Sequence, residues 1–189
     1  MHVLKRILLA VAATAVAASA VALDGGYDGA QFVKAIQDGK SDDAVKLFKD
    51  KPSLVNARDF EGMTALIAAI DKRDREWAGY LLQQGADPNL PARTGETPLM
   101  AASRVGMSDA VDWLLGLGAK VDAENKMGET ALIIAVQRRQ IPIVKALIDA
   151  GANPDKADSA QGYSARDYAK RDNRTPELLK IIQSGKAKP

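Results

Sequence analysis

The 189-residue sequence contains no cysteine and a single histidine, His2. Without cysteine, the chain forms no disulfide and offers no thiolate to a metal ion or a substrate. His2 lies in an N-terminal segment with the pattern of a cleaved leader, so the processed chain would have no imidazole either. These absences exclude Ser-His-Asp and Cys-His nucleophile systems, and every metal site built on imidazole or thiolate ligands. Only carboxylates, Lys, Tyr and Arg remain for catalysis, and stability must come from packing.

The sequence also has little excess of either charge, with a formal net charge of +2 at pH 7. Loss of Lys5 and Arg6 with the leader would leave 24 of the 26 basic residues against 24 acidic residues. A near-neutral chain has no bulk electrostatic attraction for nucleic acid or an anionic membrane. The pairs Arg138-Arg139 and Lys170-Arg171 are too sparse to form a nucleic-acid stripe. We therefore expect neither nucleic acid nor a membrane as a partner.

One long apolar run, from Ile7 to Ala18, follows the basic residues Lys5 and Arg6 near the start of the chain. Small residues suited to cleavage follow it and end at Ala20 and Ala22. This order is typical of a secretory signal peptide over residues 1–22. The alternative is an uncleaved anchor, but the run is shorter than the ~20 residues of a membrane-spanning helix. We predict export and a periplasmic location for the processed protein.

A short phrase organises the rest of the chain: Gly95-Glu96-Thr97-Pro98-Leu99. Glycine suits a tight turn, threonine can cap a helix, and proline is tolerated at the first helical position. Related phrases begin at Gly62 and Gly128, which places their threonines 33 residues apart. A second marker, Gly-Ala followed by a polar residue, keeps the same period at Gly85, Gly118 and Gly151. Two markers with one period indicate a stacked repeat.

Each phrase predicts a first helix of about eight residues, followed by an apolar second helix that ends at the next Gly-Ala marker. A degenerate opening pair is predicted at residues 30–37 and from Ser41 or Asp42 to Pro52. A polar closing pair follows a one-residue insertion near residues 158–160 and includes residues 176–182. The expected fold is an all-α solenoid of about five helix-turn-helix units, three regular and two capping, with short β-turn fingers. Its predicted limits are residues 30–184, between a flexible lead-in at 23–29 and a disordered tail at 185–189.

These residues resemble the ankyrin repeat, whose pattern is Gly-x-Thr-Pro-Leu-His, a pair of alanines and a later Gly-Ala-Asp. Residues 93–122 match it nearly throughout, including Ala101-Ala102 and Gly106, and the resemblance extends over most of the chain. One departure is consistent, because Ile67, Met100 and Ile133 replace the family's histidine. The turns are therefore expected to depend more on threonine and on apolar contacts. Together with the signal peptide, the repeats resemble a bacterial periplasmic ankyrin protein.

The resemblance implies a non-catalytic protein-binding module, an ankyrin scaffold or adaptor whose concave face contacts a protein partner. Matching positions from each repeat glycine gives ten candidate partner-binding residues, on turn tips and at the ends of first helices: Phe60, Met63, Lys72, Arg93, Glu96, Arg104, Lys126, Met127, Gln137 and Arg138. Exposed aromatic and Arg side chains are typical interface anchors, although scattered exposed apolar residues are also ordinary. We expect a monomer with no catalytic residues, no metal and no cofactor.

Two other functions remain open at this stage. One is a periplasmic inhibitor or immunity-type protein that neutralises a toxin or a cell-wall enzyme, which differs from a scaffold only in what it binds. The other is an enzyme that uses carboxylates, for which Asp71, Asp74 and Glu76 are the nearest candidates. Alternating charges at a helix junction are more typical of a solvated face. Trp77 and Trp113 are expected in the core, among aliphatic side chains.

Overall fold

The computed structural model describes residues 26–184 of the chain. The predicted signal peptide (1–22), the first part of the lead-in (23–25) and the tail (185–189) lie outside the described residues. Within them, ten α-helices form five consecutive helix-turn-helix units. The bounds are α1 (Gly26–Gln37) and α2 (Ser41–Asp50), α3 (Ala65–Asp71) and α4 (Arg75–Gln83), α5 (Pro98–Val105) and α6 (Ser108–Gly116), α7 (Ala131–Gln137) and α8 (Ile141–Asp149), and α9 (Ala165–Arg171) and α10 (Pro176–Ser184). A 3₁₀ turn over Pro52–Asn56 follows α2. The all-α, five-unit fold expected from the repeat pattern is confirmed.

The first helix begins earlier than the sequence pattern indicated. Residues 26–29, expected to belong to a flexible lead-in, form the first turn of α1. Gly29 is buried so closely that an added Cβ would lie 3.2 Å from the Cβ of Ala57, and Asp28 forms an ion pair with Lys51. Contacts with the next segment therefore hold a turn that its glycine-rich sequence would not form alone.

Threonine begins each regular repeat as predicted. The Oγ1 atoms of Thr64, Thr97 and Thr130 accept hydrogen bonds from the backbone N–H three residues later, over 3.2 to 3.3 Å. In the middle repeat the Met100 sulfur also accepts from the Thr97 N–H at 3.5 Å. Threonine thus supplies the cap in each turn, and methionine adds a weak acceptor where the ankyrin pattern has histidine.

The first helices of the three regular repeats form the centre of the stack. Six consecutive residues of α3, α5 and α7 are buried in each case. These three helices contact one another more extensively than α4, α6 and α8 do. No unit could bury such a helix alone, and the shared core extends through all five units.

Trp77 is buried in the core as predicted, and its ring also contacts other aromatic rings. Its ring lies edge-on to Phe32 at 5.9 Å and to Tyr80 at 5.7 Å, and Phe32 stacks on Phe48 at 5.6 Å. Its Nε1 donates to the Ser41 hydroxyl at 3.3 Å. This cluster joins the opening unit to the first regular repeat, because its members come from α1, α2 and α4.

Within residues 26–184, no helix combines the length and the apolar character needed to cross a bilayer.

Candidate functional site

The turns that precede the first helices project as four fingers: finger 1 (residues 57–64), finger 2 (90–97), finger 3 (123–130) and finger 4 (156–164). Two backbone hydrogen bonds close finger 1, from the Asp59 N–H to the Met63 oxygen and from the Gly62 N–H to the Asp59 oxygen, both at 2.9 Å. Fingers 2 and 3 repeat this pair of bonds. The tips of fingers 1 to 3 and the C-terminal ends of α3, α5 and α7 together form what we call the inner surface.

Neighbouring fingers are hydrogen-bonded edge to edge. Arg93 N–H donates to the Gly62 oxygen at 3.1 Å, Lys126 N–H to the Thr94 oxygen at 3.2 Å, and Ser159 N–H to the Met127 oxygen at 2.8 Å. Gly62 has φ 81°, and a Cβ on it would lie 2.6 Å from the Cβ of Arg93. Glycine is therefore required there both by the left-handed backbone and by the approach of the next finger. These hydrogen bonds align the tips in one row.

Exposed apolar and exposed cationic side chains both lie along this row. Phe60 on finger 1 is 75% exposed and Met127 on finger 3 is 54% exposed. Arg93 and Lys126 are also exposed, and within residues 26–184 neither side chain forms an ion pair. Met63 differs from them because it is half-buried and packs against the core. A row of preformed, unpaired anchors is suited to contact with another macromolecule.

The helix ends carry three of the predicted residues in the exposed state, namely Lys72, Gln137 and Arg138. Arg104 was expected to be exposed as well, and that expectation is wrong: its side chain keeps only 34% of its exposure. Its guanidinium donates to Asp71 at 2.7 Å and to Glu96 at 2.8 Å. Arg104 therefore joins the end of α3 to finger 2 and α5. The Arg104 donors and the Glu96 carboxylate that accepts from them serve the fold.

The charges around Arg104 are perturbed by their surroundings. Burial raises the pKa of Asp71 above its ordinary value and outweighs the attraction of the guanidinium. Burial alone would lower the pKa of Arg104, but the hydrogen bond to Glu96 and the charge of Asp71 outweigh it, so this pKa lies above its usual range. The group is thus a structural ion cluster with all members engaged.

In the closing unit, two residues lie at positions equivalent to the candidate binding residues, and the sequence analysis did not name them as candidates. Arg171 lies with its guanidinium 4.5 Å above the ring of Tyr163, at the positions that correspond to helix end and finger in the preceding units. The one-residue insertion in finger 4 displaces these residues from the 33-residue count. Counting from the Ser164 cap, instead of from the preceding repeat, would have located them.

A second missed feature is a polar ladder on the loops that follow the second helices. The side-chain oxygens of Asn56, Asn89 and Asp122 accept from the backbone N–H groups of residues 87, 120 and 153, at 2.9, 2.7 and 2.9 Å. Their spacing of 33 residues was the available signal. Each bond ties one repeat to the next, so the ladder stabilises the stack and leaves the inner surface free.

The carboxylates considered for catalysis do not converge. Asp71 pairs with Arg104, Asp74 caps α4 through the Trp77 N–H at 3.0 Å, and Glu76 is exposed. Among residues 26–184, no group of three or more acidic, His or Cys residues is placed to hold a metal ion. An open groove beside α1 and α2 has a volume of about 400 Å³, but charged side chains of both signs line it, including Lys34, Asp43 and Lys46. Most of its lining residues are charged, whereas a small-molecule site is lined predominantly by apolar and aromatic side chains.

Comparison with known proteins gives consistent matches. The family model described as "Ankyrin repeats (3 copies)" matches residues 91–158, and the one described as "Ankyrin repeat" matches residues 61–93. A putative ankyrin repeat-containing protein of Treponema pallidum (strain Nichols) is 32% identical over 152 residues, which are 80% of this chain and 50% of the relative. A putative ankyrin repeat protein of Rickettsia bellii is 35% identical over 107 residues, with 53% of this chain and 31% of the relative covered. The mouse B-cell lymphoma 3 protein homolog is 33% identical over 100 residues, 52% of this chain and 22% of that protein. The chain thus spans half the length of the Treponema relative and less of the other two.

Proposed function

The chain belongs to the ankyrin repeat family, and from that premise we propose that it is a non-catalytic binding module whose inner surface contacts a protein partner. Ankyrin repeat proteins are typically protein-binding modules and generally non-catalytic scaffolds. The relatives found here share the repeats and differ in length, so partner identity does not transfer from them.

The row of finger tips is the observation that carries the proposal. Hydrogen bonds between neighbouring fingers hold Phe60, Arg93, Lys126 and Met127 on adjacent edges. Because the backbone is already ordered, binding would cost little conformational entropy there. Large exposed apolar residues at two tips are costly to leave in water and are the type of side chain that anchors an interface.

We also propose that the module acts outside the cytoplasm, most simply in a bacterial periplasm. Support comes from the basic start, the apolar run and the small-residue cleavage sites of residues 1–22. N-terminal sequencing of the native protein tests this. A start at Val21 or Leu23 supports export, and an intact Met1 in the soluble cytoplasm contradicts it.

A capture experiment tests the binding function. Two baits are compared: the processed parent chain and a double variant that carries Phe60→Ala and Met127→Ala. Each is incubated with the periplasmic fraction of the native organism. Both side chains are exposed, so the double variant should keep its stability to within about 1 kcal/mol, while binding weakens by more than ~1 kcal/mol per anchor. The matched control is Lys145→Ala with Asp149→Ala, on the solvent side of α8.

The proposal predicts a protein that the parent and the control capture and the finger variant loses. A protein lost with the control but kept by the finger variant would show that the partner uses the other side. Arg104 is left out of the variant set because its loss would unpair Asp71 and Glu96 and perturb folding.

A further inference from the structure

The unpaired charges of the inner surface are mostly positive. Lys72, Arg93, Lys126 and Arg138 are exposed there, and no ion pair involves them among residues 26–184. The nearby acids are largely engaged already. Arg104 pairs with Asp71 and Glu96. Glu129 keeps its charge but is half-buried and accepts from Asn125 Nδ2 at 2.8 Å. Glu61 is the exposed acid of the tips that forms no ion pair in the described chain.

The outer side has a different balance. Exposed acids without an ion pair in the described chain lie on the second helices at Asp42, Asp43, Asp50, Glu76, Asp112, Asp149 and Glu177. Lys46, Lys49, Lys145 and Lys180 offset them in part. Since the whole chain is close to neutral, its charges are separated between two faces, not absent. A face on which exposed, unpaired cations outnumber exposed, unpaired acids orients a negatively charged partner toward that face.

We propose that the partner of the inner surface is an acidic protein segment that carries apolar side chains. This rests on the proposed function and specifies its ligand. Phe60 and Met127 would receive the apolar side chains, and Arg93 and Lys126, on the edges between them, would pair with carboxylates. Lys72 and Arg138 extend the positive charge to the helix ends.

Nucleic acid fits the same surface less well. A single-strand binding groove combines a continuous cationic track with several aromatic platforms. Here Phe60 is the one aromatic side chain among fingers 1 to 3 and the ends of α3, α5 and α7, and Glu61 and Asp71 interrupt the cations. Apolar tips beside separated cations match a polypeptide that carries both acidic and apolar residues.

Selection from random peptides tests the chemistry without knowledge of the partner. A display library of 15-residue random peptides is panned against the processed protein, and the enriched peptides are labelled with fluorescein for anisotropy titrations. We expect enriched sequences with a net charge of −3 or lower and at least two large apolar residues. Their affinity should fall at least tenfold with Lys126→Glu plus Arg138→Glu, and should weaken as salt rises from 50 to 500 mM.

The matched control reverses charge on the other side, with Lys145→Glu plus Lys180→Glu, and should change affinity less than twofold. Circular dichroism establishes that both double variants fold. Enriched peptides that are neutral or basic, an unchanged affinity in Lys126→Glu plus Arg138→Glu, or no enrichment would each overturn the inference. So would tighter binding of a 20-nucleotide single-stranded DNA than of the selected peptides. None of those outcomes by itself contradicts the proposed function, because the capture experiment tests it without regard to the charge of the partner.

Discussion

Asp158 is the residue on which finger 4 most depends. It is 4% exposed, and its Oδ1 accepts from the N–H groups of residues 160, 161 and 162, at 3.1, 2.7 and 3.1 Å. Its Oδ2 accepts from the Tyr168 hydroxyl at 2.6 Å. Burial pushes the pKa of Asp158 up, but the hydrogen bonds from Tyr168 and the backbone outweigh it and hold this pKa below its ordinary value.

Asp158→Ala removes four acceptor contacts at once. A hydrogen bond to a charged group contributes about 1.5–3 kcal/mol net, and water can replace part of this at the exposed residues 160–162. We therefore expect a loss of about 3 kcal/mol in the free energy of unfolding of the closing unit. Asp158→Asn keeps the Oδ1 acceptor and offers Tyr168 an amide donor, so its cost should be about 1 kcal/mol.

The equivalent residue in finger 1 provides an internal control. Asp59 Oδ1 accepts from two backbone N–H groups, at 3.0 and 2.8 Å, and its Oδ2 accepts only a long bond from Gln37 Nε2 at 3.4 Å. Asp59→Ala should therefore cost about half as much as Asp158→Ala. Hydrogen exchange with mass spectrometry measures local unfolding in a repeat stack. It is read on peptides from α9 and α10 for the Asp158 variants and on peptides from α3 and α4 for Asp59→Ala. Equal effects of Asp158→Ala and Asp158→Asn, or unchanged protection of residues 160–162, would refute the reasoning.

Three further predictions follow from local geometry. Finger 2 has Ala92 where finger 3 has Asn125, whose Oδ1 accepts from the N–H groups of Met127 and Glu129 at 2.9 and 3.0 Å. Ala92→Asn should add the equivalent bonds in finger 2 and raise the free energy of unfolding by about 1 kcal/mol. A urea titration measures this, and a lower midpoint would contradict it. Arg73 has φ 54° where the next repeat has Gly106 at φ 75°, so Arg73→Gly should relieve strain and raise the melting temperature, by an amount equivalent to about 0.5 kcal/mol. Four carboxyls of the closing unit have pKa values below their ordinary range. Hydrogen bonds from Arg166 and Arg139 lower the pKa values of Asp155 and Asp172, and hydrogen bonds from Ser164 lower that of Asp167. The fourth is Asp158, described above. A carboxyl with a lowered pKa in the folded state contributes stability that is present above its unfolded pKa and is lost as pH falls through its folded pKa. When the pH falls below about 4, α9 and α10 should therefore lose exchange protection before the other helices do. Simultaneous loss of protection along the whole stack would contradict this.

The repeat period was sufficient to predict most of the fold. The phrases at Gly62, Gly95 and Gly128 encode a left-handed turn, a cap and a helix start, which are local properties that a few residues determine. Stacking then follows, because such short helices cannot bury their apolar sides alone. The start of α1 could not be predicted in this way, because packing against Ala57 overrides the low helix propensity of its glycines.

The sequence predicted where the candidate residues lie along the repeats, but not which of them are engaged in contacts with other side chains. Counting from the glycines placed Phe60, Arg93 and Met127 correctly on exposed tips. The same counting could not show that Arg104 pairs with Asp71, because that contact spans 33 residues and depends on side-chain geometry across two repeats. The inserted residue in finger 4 likewise hid Tyr163 and Arg171, since it broke the count on which the prediction relied.

Photo-cross-linking in the native organism tests the central claim most directly. Phe60 is replaced by p-benzoylphenylalanine, which keeps an aromatic ring at a side chain that is 75% exposed, and the same group at Lys145 on the solvent side of α8 serves as the control. A binding module that uses its inner surface predicts a discrete, light-dependent adduct with another protein from position 60 and none from position 145. An adduct from position 145 without one from position 60 would contradict the account.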